Sequence, residues 1–132
     1  MKIKFIFLLP LFLMFFGCTG DNNSTPEKVT LKSVTYEVLL FEYIPDTGNN
    51  SSRFRYEIKF SNPNNVAVKG VPQLTMNWDG SVFSPIARNP LCTEIGAKSS
   101  CTVSYDVESA FSPQYVTLKS IKLVSVEYIL SN

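Results

Sequence analysis

The chain has 132 residues, with 12 basic and 11 acidic side chains, a net charge of +1 and no histidine. This length corresponds to one domain. The balanced charge argues against a nucleic-acid partner, which would require a concentrated basic surface. Without histidine, neither a Ser-His-Asp nor a Cys-His arrangement can form, so no enzymatic activity and no cofactor are predicted.

The first residues have the composition of an export signal. Lys2 and Lys4 precede an apolar run over residues 5–16, which ends at Gly17 and Cys18. A positive start, a short apolar run and a small residue at the cleavage point are typical of secretory signals. A transmembrane anchor is a weaker alternative, because this run spans only about 18 Å of a hydrocarbon core of roughly 30 Å.

A cysteine placed directly after that small residue resembles the lipoprotein signal of bacteria. The resemblance implies a signal peptide at residues 1–17, and a diacylglyceryl group on Cys18, usually with a third chain such as palmitate on its amine. Residues 18–27 would then be the lipidated cysteine and a polar tether, and residues 28–132 the folded domain. Thr19, in place of an aspartate, implies outer-membrane placement; which face the protein occupies stays open. The alternative is an ordinary cleaved signal without lipid.

Strict alternation predicts a β-strand over residues 53–60, with one face in the core and one in water. The apolar row is Phe54, Tyr56, Ile58 and Phe60, and the polar row is Arg53, Arg55, Glu57 and Lys59. An upstream row alternates likewise at Val34, Tyr36, Val38 and Leu40. The polar segment 45–52 between the two rows predicts a β-hairpin. Phe41 and Tyr43 are out of phase with the upstream row and are expected to be exposed.

Further alternating rows follow. Leu74, Met76 and Trp78 lead to Asp79-Gly80, a tight-turn dipeptide. Residues 81–96 are interpreted as a long connection, residues 101–107 as another strand and residues 116–130 as the last one. The side chains expected to face inward are Phe54, Tyr56, Ile58, Phe60, Leu74, Met76, Trp78, Val103 and Tyr105. Trp78 is expected to fill the core rather than to form a sugar-binding platform.

Cys92 and Cys101 are the two cysteines that remain beside Cys18. An exported protein enters an oxidising compartment, so a Cys92–Cys101 disulfide is predicted, with two free buried thiols as the alternative. No metal site is expected, because two cysteines without histidine cannot supply four zinc ligands.

Strands at this spacing, without helical periodicity, predict an all-β fold: an immunoglobulin-like antiparallel β-sandwich of about seven strands. The segment Cys92-Thr93-Glu94-Ile95-Gly96-Ala97-Lys98-Ser99-Ser100-Cys101, followed by an alternating strand, resembles the paired-cysteine segment of ASPM–SPD-2–Hydin type immunoglobulin-like domains. Residues 56–63 and 66–71 are similar to the central hairpin of many bacterial immunoglobulin-like domains. The resemblance covers roughly residues 52–107 and implies a non-catalytic scaffold or adhesion-type module, without functional residues.

These observations lead to a function hypothesis for the whole chain. It is a lipid-anchored envelope protein, held to the membrane by Cys18, whose domain binds or braces another envelope component, a protein or a glycan. The alternative is a surface carbohydrate-binding module, and a small hydrolase would require two close carboxylates in a pocket. The sequence alone assigns no ligand-binding residues.

Overall fold

The computed structural model describes residues 30–85, 90–114 and 117–131. These residues form seven β-strands and no helix, which confirms the all-β prediction. The strands are β1 (Thr35–Ile44), β2 (Ser51–Ser61), β3 (Val68–Trp78), β4 (Ser81–Phe83), β5 (Glu94–Ile95), β6 (Ser100–Ala110) and β7 (Ile121–Leu130). The segments at 1–17 and 18–27, including Cys18, lie outside the described residues. Within the described ranges, no helix is long and apolar enough to cross a membrane.

The strands form two antiparallel sheets, an arrangement consistent with a β-sandwich. In the first sheet, β2 lies between β1 and β6. In the second sheet, β3 pairs with β7 over most of its length, while the short β4 and β5 pair with its two ends. The predicted connection at 81–96 therefore contains two short strands, and the last strand begins at Ile121 rather than at residue 116.

The predicted hairpin is formed by β1 and β2, but β1 contains a bulge. Val38 lies opposite Ile58, Leu40 lies opposite Glu57, and Leu39 between them has no partner. A one-residue insertion reverses the alternation of every later side chain. The prediction that Phe41 and Tyr43 are exposed was therefore wrong. Both are half-buried and lie on the inner face, opposite Tyr56 and Phe54.

The core is tightest at one end of the sandwich. Ile58 and Phe60 are fully buried there, against Val68 and Ile95 of the second sheet. The predicted inner row of β6 is also found, since Val103 lies opposite Ile58. Tyr105 also points inward, as predicted, but it is 42% exposed and so does not belong to the buried core. Phe54, Tyr56 and Trp78 are half-buried rather than buried.

The direction of the backbone hydrogen bonds explains why a proline, Pro72, is tolerated in the middle of β3. The Lys69 carbonyl accepts from Ser131 on the β7 side, and the Gly70 amide donates to Thr93 on the opposite side. Backbone groups alternate sides along a strand, so position 72 faces away from β7. A proline is tolerated there, because the longest pairing of β3 does not need its amide.

Two features hold the sheets together at the tightly packed end. The predicted disulfide is present between Cys92 and Cys101, with 5.8 Å between the Cα atoms. It ties the segment before β5 to β6, across the two sheets. Asn62, 2% exposed, donates from its side-chain amide to the carbonyls of Val66, Ile95 and Gly96 at 2.8–3.1 Å. We refer to this region as the closed end.

Gly70→Ala is expected to lower the free energy of unfolding by about 2 kcal/mol, a typical cost of an added methyl group in a filled space. A Cβ at this position would overlap the Ile129 carbonyl oxygen and lie 2.6 Å from Cε1 of Tyr128. Urea unfolding measures the change. Gly96→Ala is the control, since the nearest atom there would be 3.4 Å away. Equal effects of the two substitutions would contradict the close approach at Gly70.

Candidate ligand-binding cleft

A cleft of about 320 Å³ lies between the sheets beyond the tightly packed core. This volume is at the lower end of the range found for small-ligand sites. Every described side chain that lines it is apolar or aromatic, and none carries a charge at neutral pH. They are Phe54, Tyr56, Pro72, Leu74, Met76, Trp78, Pro85, Pro90, Leu91, Val103 and Tyr105. We call this space the apolar lobe.

A second space of about 290 Å³ continues from the first towards the end of the sandwich. The two spaces share Phe54, Trp78 and Tyr105, which form the wall between them. The second space has hydroxyl groups around it, from Ser52, Ser109, Ser112 and Thr117 among others. We call it the hydroxyl lobe, and the two lobes together the interlayer cleft.

The first sheet supplies the aromatic wall through direct cross-strand pairs. Phe41, Tyr56 and Tyr105 lie opposite one another on β1, β2 and β6. The rings of Tyr56 and Tyr105 are stacked, with centroids 5.4 Å apart and planes 10° apart. Phe54 contacts both tyrosines at 5.6 Å. Aromatic cross-strand pairs stabilise a sheet beyond the area that they bury, so this wall is firm without a filled core behind it.

Trp78 is the main contribution of the second sheet to the cleft. Its ring meets Phe83 of β4 edge-on, with centroids 4.8 Å apart. The indole Nε1 is buried and has no hydrogen-bond partner among the residues that the structure describes. Trp78 is therefore a half-buried packing residue that also faces both lobes, which neither the core nor the sugar-platform interpretation foresaw.

The cleft contains neutral groups. Burial raises the pKa of Tyr56, and the neighbouring Tyr105 adds to the effect. The Tyr56 phenol therefore stays protonated at neutral pH. The charged side chains of the first sheet lie on its outer face, as predicted, where Arg53 pairs with Asp106 and Arg55 with Glu42. The cleft is thus suited to uncharged, largely apolar groups.

The hydroxyl lobe lies at the end of the domain opposite the place where the chain enters it. The backbone amide of Lys32 donates to Asn64 Oδ1 at 2.8 Å, and Asn64 Nδ2 donates back to the Lys32 carbonyl at 2.9 Å. This fixes the entry at the closed end. The hydroxyl lobe lies near Ser52, at the opposite end of β2, whose eleven residues span roughly 35 Å.

The outer wall of the hydroxyl lobe is held by Asp79. This residue follows β3 in a tight turn with positive φ angles, 49° at Asp79 and 99° at Gly80, as expected for the dipeptide. Its carboxylate accepts from the backbone amides of Lys119 and Ser120 at 2.8 and 2.7 Å. The Tyr43 hydroxyl donates to the neighbouring Leu118 carbonyl at 3.0 Å. Together these bonds position the segment 117–120 against the cleft.

Acid is expected to destabilise this wall. The hydrogen bond from the Lys119 amide, aided by those from Ser120, lowers the pKa of Asp79 below its usual value. A group with a lowered folded-state pKa stabilises the fold above its unfolded pKa of about 3.9. That contribution is lost as the pH falls through the folded-state value. Asp106 acts in the same direction, because the Arg53 guanidinium lowers its pKa.

The thermal unfolding midpoint is expected to decrease as the pH is lowered below about 4. The decrease should be less steep in Asp79→Asn. Unfolding is followed by circular dichroism from pH 7 to pH 2. Glu127→Gln, an exposed change on β7, should keep the wild-type profile. An unchanged acid slope in Asp79→Asn would contradict the role given to this carboxylate.

The sequence-predicted site residues fall in different places. Cys18 lies outside the described residues, and Cys92 and Cys101 form the disulfide at the closed end. Within the described ranges, no group of three or more histidine, cysteine, aspartate or glutamate side chains could hold a metal ion. The cleft itself was not predicted. The clearest signal for it was the aromatic alternation at Phe54, Tyr56 and Tyr105.

Comparisons with protein-family models, with curated proteins and with solved structures found no match for this chain. The function is therefore inferred from the chemistry of the cleft and from the sequence of the first residues.

Proposed function

We propose that this protein is a lipid-anchored, non-catalytic module of the bacterial cell envelope, which binds another envelope component in its interlayer cleft. The observation that carries the proposal is an apolar cleft between the sheets whose hydroxyl lobe lies at the end opposite the chain entry. A domain held at its closed end directs the cleft away from the anchoring membrane. An immunoglobulin-like sandwich of the ASPM–SPD-2–Hydin type is the fold we assign to this module.

The anchor is supported by the residues before the domain. The apolar run that ends at Gly17-Cys18 has the form of a lipoprotein signal. Residues 18–29 reach at most about 40 Å when extended, which keeps the domain near its membrane, in our proposal the outer membrane. The disulfide is in keeping with an exported protein, since such bonds persist in oxidising compartments.

The lining of the cleft favours an apolar element of a protein over a sugar. Carbohydrate platforms present open aromatic faces beside several polar groups, whereas Tyr56 and Tyr105 stack on each other. The described lining of the apolar lobe also contains Pro72, Pro90 and Leu91. We therefore place the carbohydrate-binding alternative second and treat it as an outcome of the binding experiment.

Cys18→Ser is expected to abolish acylation and to release the protein from the membrane. Two or three acyl chains give a durable anchor, whereas the domain carries no comparable apolar anchor in this proposal. Metabolic labelling with an acyl analogue in the native host, followed by membrane fractionation, measures both effects. Thr19→Ser is the matched control. Persistent label and membrane retention in Cys18→Ser would contradict the anchor.

The cleft is tested by photo-crosslinking in the native host. A photoreactive amino acid replaces Leu91, a cleft residue that is 57% exposed, or Val124, which is 55% exposed on β7 away from the cleft. We expect a discrete protein adduct from position 91 and none from position 124. A glycan adduct from position 91 would favour the carbohydrate-binding module. Equal or absent adducts from both positions would contradict binding in the cleft.

A further inference from the structure

One long edge of the first sheet is unpaired in the part of the chain that the structure describes. β6 pairs with β2 over all eleven of its residues without a shift in register. The Ser99 carbonyl accepts from the Asn62 amide, and the Phe111 amide donates to the Asn50 carbonyl. Backbone groups alternate sides along a strand. The odd-numbered residues of β6 therefore bond to β2, and the even-numbered ones direct their amides and carbonyls outward.

This edge lacks three common protections against strand pairing, although Asp106 and Glu108 place charges on it. Proteins interrupt exposed edges with prolines, lysines or bulges. The opposite edge strand of the same sheet, β1, carries the bulge at Leu39. β6 contains no proline, lysine or bulge, and residues 104–110 are all exposed. A long regular edge of this kind is a template for another strand.

The inner side of the edge continues into the cleft. Tyr105 and Val107, 42% and 40% exposed, point inward from β6 and line the interlayer cleft. A strand added beside β6 would place every second side chain next to them, beside the cleft. Apolar side chains would therefore be buried on that face of the added strand.

The outer side of the edge carries two carboxylates. Asp106 and Glu108 are the only charged residues of β6. Both carboxylate oxygens of Asp106 accept from Arg53, at 2.7 and 2.6 Å, and Glu108 accepts from Ser51 and Thr47. A carboxylate has about four acceptor positions, so both retain capacity towards the free edge. Basic side chains on the outer face of an added strand would complement them.

We propose that the free edge of β6 binds an extended segment of a partner protein by strand addition. The segment alternates apolar residues, which enter the cleft, with basic residues, which face Asp106 and Glu108. This inference rests on the proposed function, because it names the partner element that the cleft receives. Main-chain hydrogen bonds supply affinity in this mode, and alternate side chains supply specificity.

Two other occupants fit the edge less well. Residues 19–29 of this chain carry one basic residue, Lys28, against Asp21 and Glu27, and they have no alternating apolar row, so they do not match this segment. A second copy would bring another β6 against this one. Its outer face carries carboxylates and no basic group, so it supplies no charge complement.

The test uses the purified lipoprotein in detergent and two synthetic peptides. One alternates valine and lysine, and the other alternates valine and glutamate. We expect the lysine peptide to bind at least about tenfold more tightly at low salt, with a smaller difference at high salt. Stronger binding of the glutamate peptide, or no binding of either, would overturn the proposal.

Hydrogen exchange with the lysine peptide bound provides a residue-level readout. The amides of Ser104, Asp106 and Glu108 should become protected by at least about tenfold. Those of Tyr105 and Val107 bond to β2 in the free protein and should change little. Protection without this alternation would overturn strand addition. Protection of the same even-numbered amides in the free protein, together with a dimer by light scattering, would assign the edge to a second copy instead.

Val107→Lys places a charge on the inner side of the edge and should weaken binding of the lysine peptide by at least about tenfold. Val71→Lys is the matched control, since Val71 is 39% exposed on the outer face of the second sheet. Peptides that are N-methylated at alternate positions provide a second test, which requires no substitution in the protein. Methylation of the amides that face β6 should abolish binding, and methylation of the others should not. Equal effects of the two methylation patterns would overturn the proposal, whereas a crosslink at position 91 would still support binding in the cleft.

Discussion

Replacing Asn62 with alanine is expected to lower the free energy of unfolding by about 3–4 kcal/mol. The side chain is 2% exposed, and its amide donates to three backbone carbonyls from two other segments of the chain. Its Oδ1 accepts from the backbone amide and from the side chain of Asn64, at 2.9 and 2.8 Å. Loss of one partner leaves buried groups unpaired, at about 1–3 kcal/mol for each that water cannot reach.

Urea unfolding of the full mature chain measures the loss. Asn65→Ala is the matched control, because Asn65 is an exposed residue of the same turn, and we expect it to change stability by less than about 0.5 kcal/mol. A cost below about 1 kcal/mol for Asn62→Ala would contradict the view that this amide holds the closed end together.

The strands were predictable because one face of each central strand is buried. Burial of alternate residues leaves a period of two in the sequence, which is clear at Phe54, Tyr56, Ile58 and Phe60. The hairpin between β1 and β2 and the turn at Asp79-Gly80 follow from local turn chemistry. The disulfide followed from the compartment and the cysteine count rather than from the strand pattern.

The bulge in β1 was not predictable from alternation. Val38, Leu39, Leu40 and Phe41 are consecutive apolar residues, so a strand can pass through them in either phase. The bulge at Leu39 decides the phase, and only pairing with β2 reveals it. The inward position of Phe41 and Tyr43, and with it part of the aromatic wall, was therefore hidden.

The closed end and the cleft depend on contacts between distant segments. The turn residues 61–65 indicate only a loop, whereas Asn62 bonds to the Ile95 carbonyl, 33 residues away. Such contacts and the disulfide join the sheets at the closed end, and the cleft lies beyond them. Hydrophobic alternation shows which side chains face inward, but it does not show whether side chains of the opposite sheet cover them. Tyr105 is an inward residue without full cover.

Trp78→Ala is expected to lower the free energy of unfolding by about 3 kcal/mol, the lower end of the range for a large aromatic side chain. Trp78 is half-buried, and its ring packs edge-on against Phe83. The same ring separates the two lobes of the cleft, so its removal should also lower the crosslink yield from position 91. Trp78→Phe keeps most of the packing, so it should lose less stability and less crosslink yield than Trp78→Ala.

The two effects are separated by measuring both at the same fraction of folded protein. Urea unfolding gives the stability of each variant, and crosslinking is then done at a temperature where wild type, Trp78→Phe and Trp78→Ala are all more than about 95% folded. Under those conditions, a lower adduct yield in Trp78→Ala reflects the shape of the cleft and not unfolding. An adduct yield equal to that of the wild type, with stability lost, would make Trp78 a packing residue alone. A protein-adduct yield that falls while stability is unchanged would make Trp78 a contact of the bound partner without a packing role.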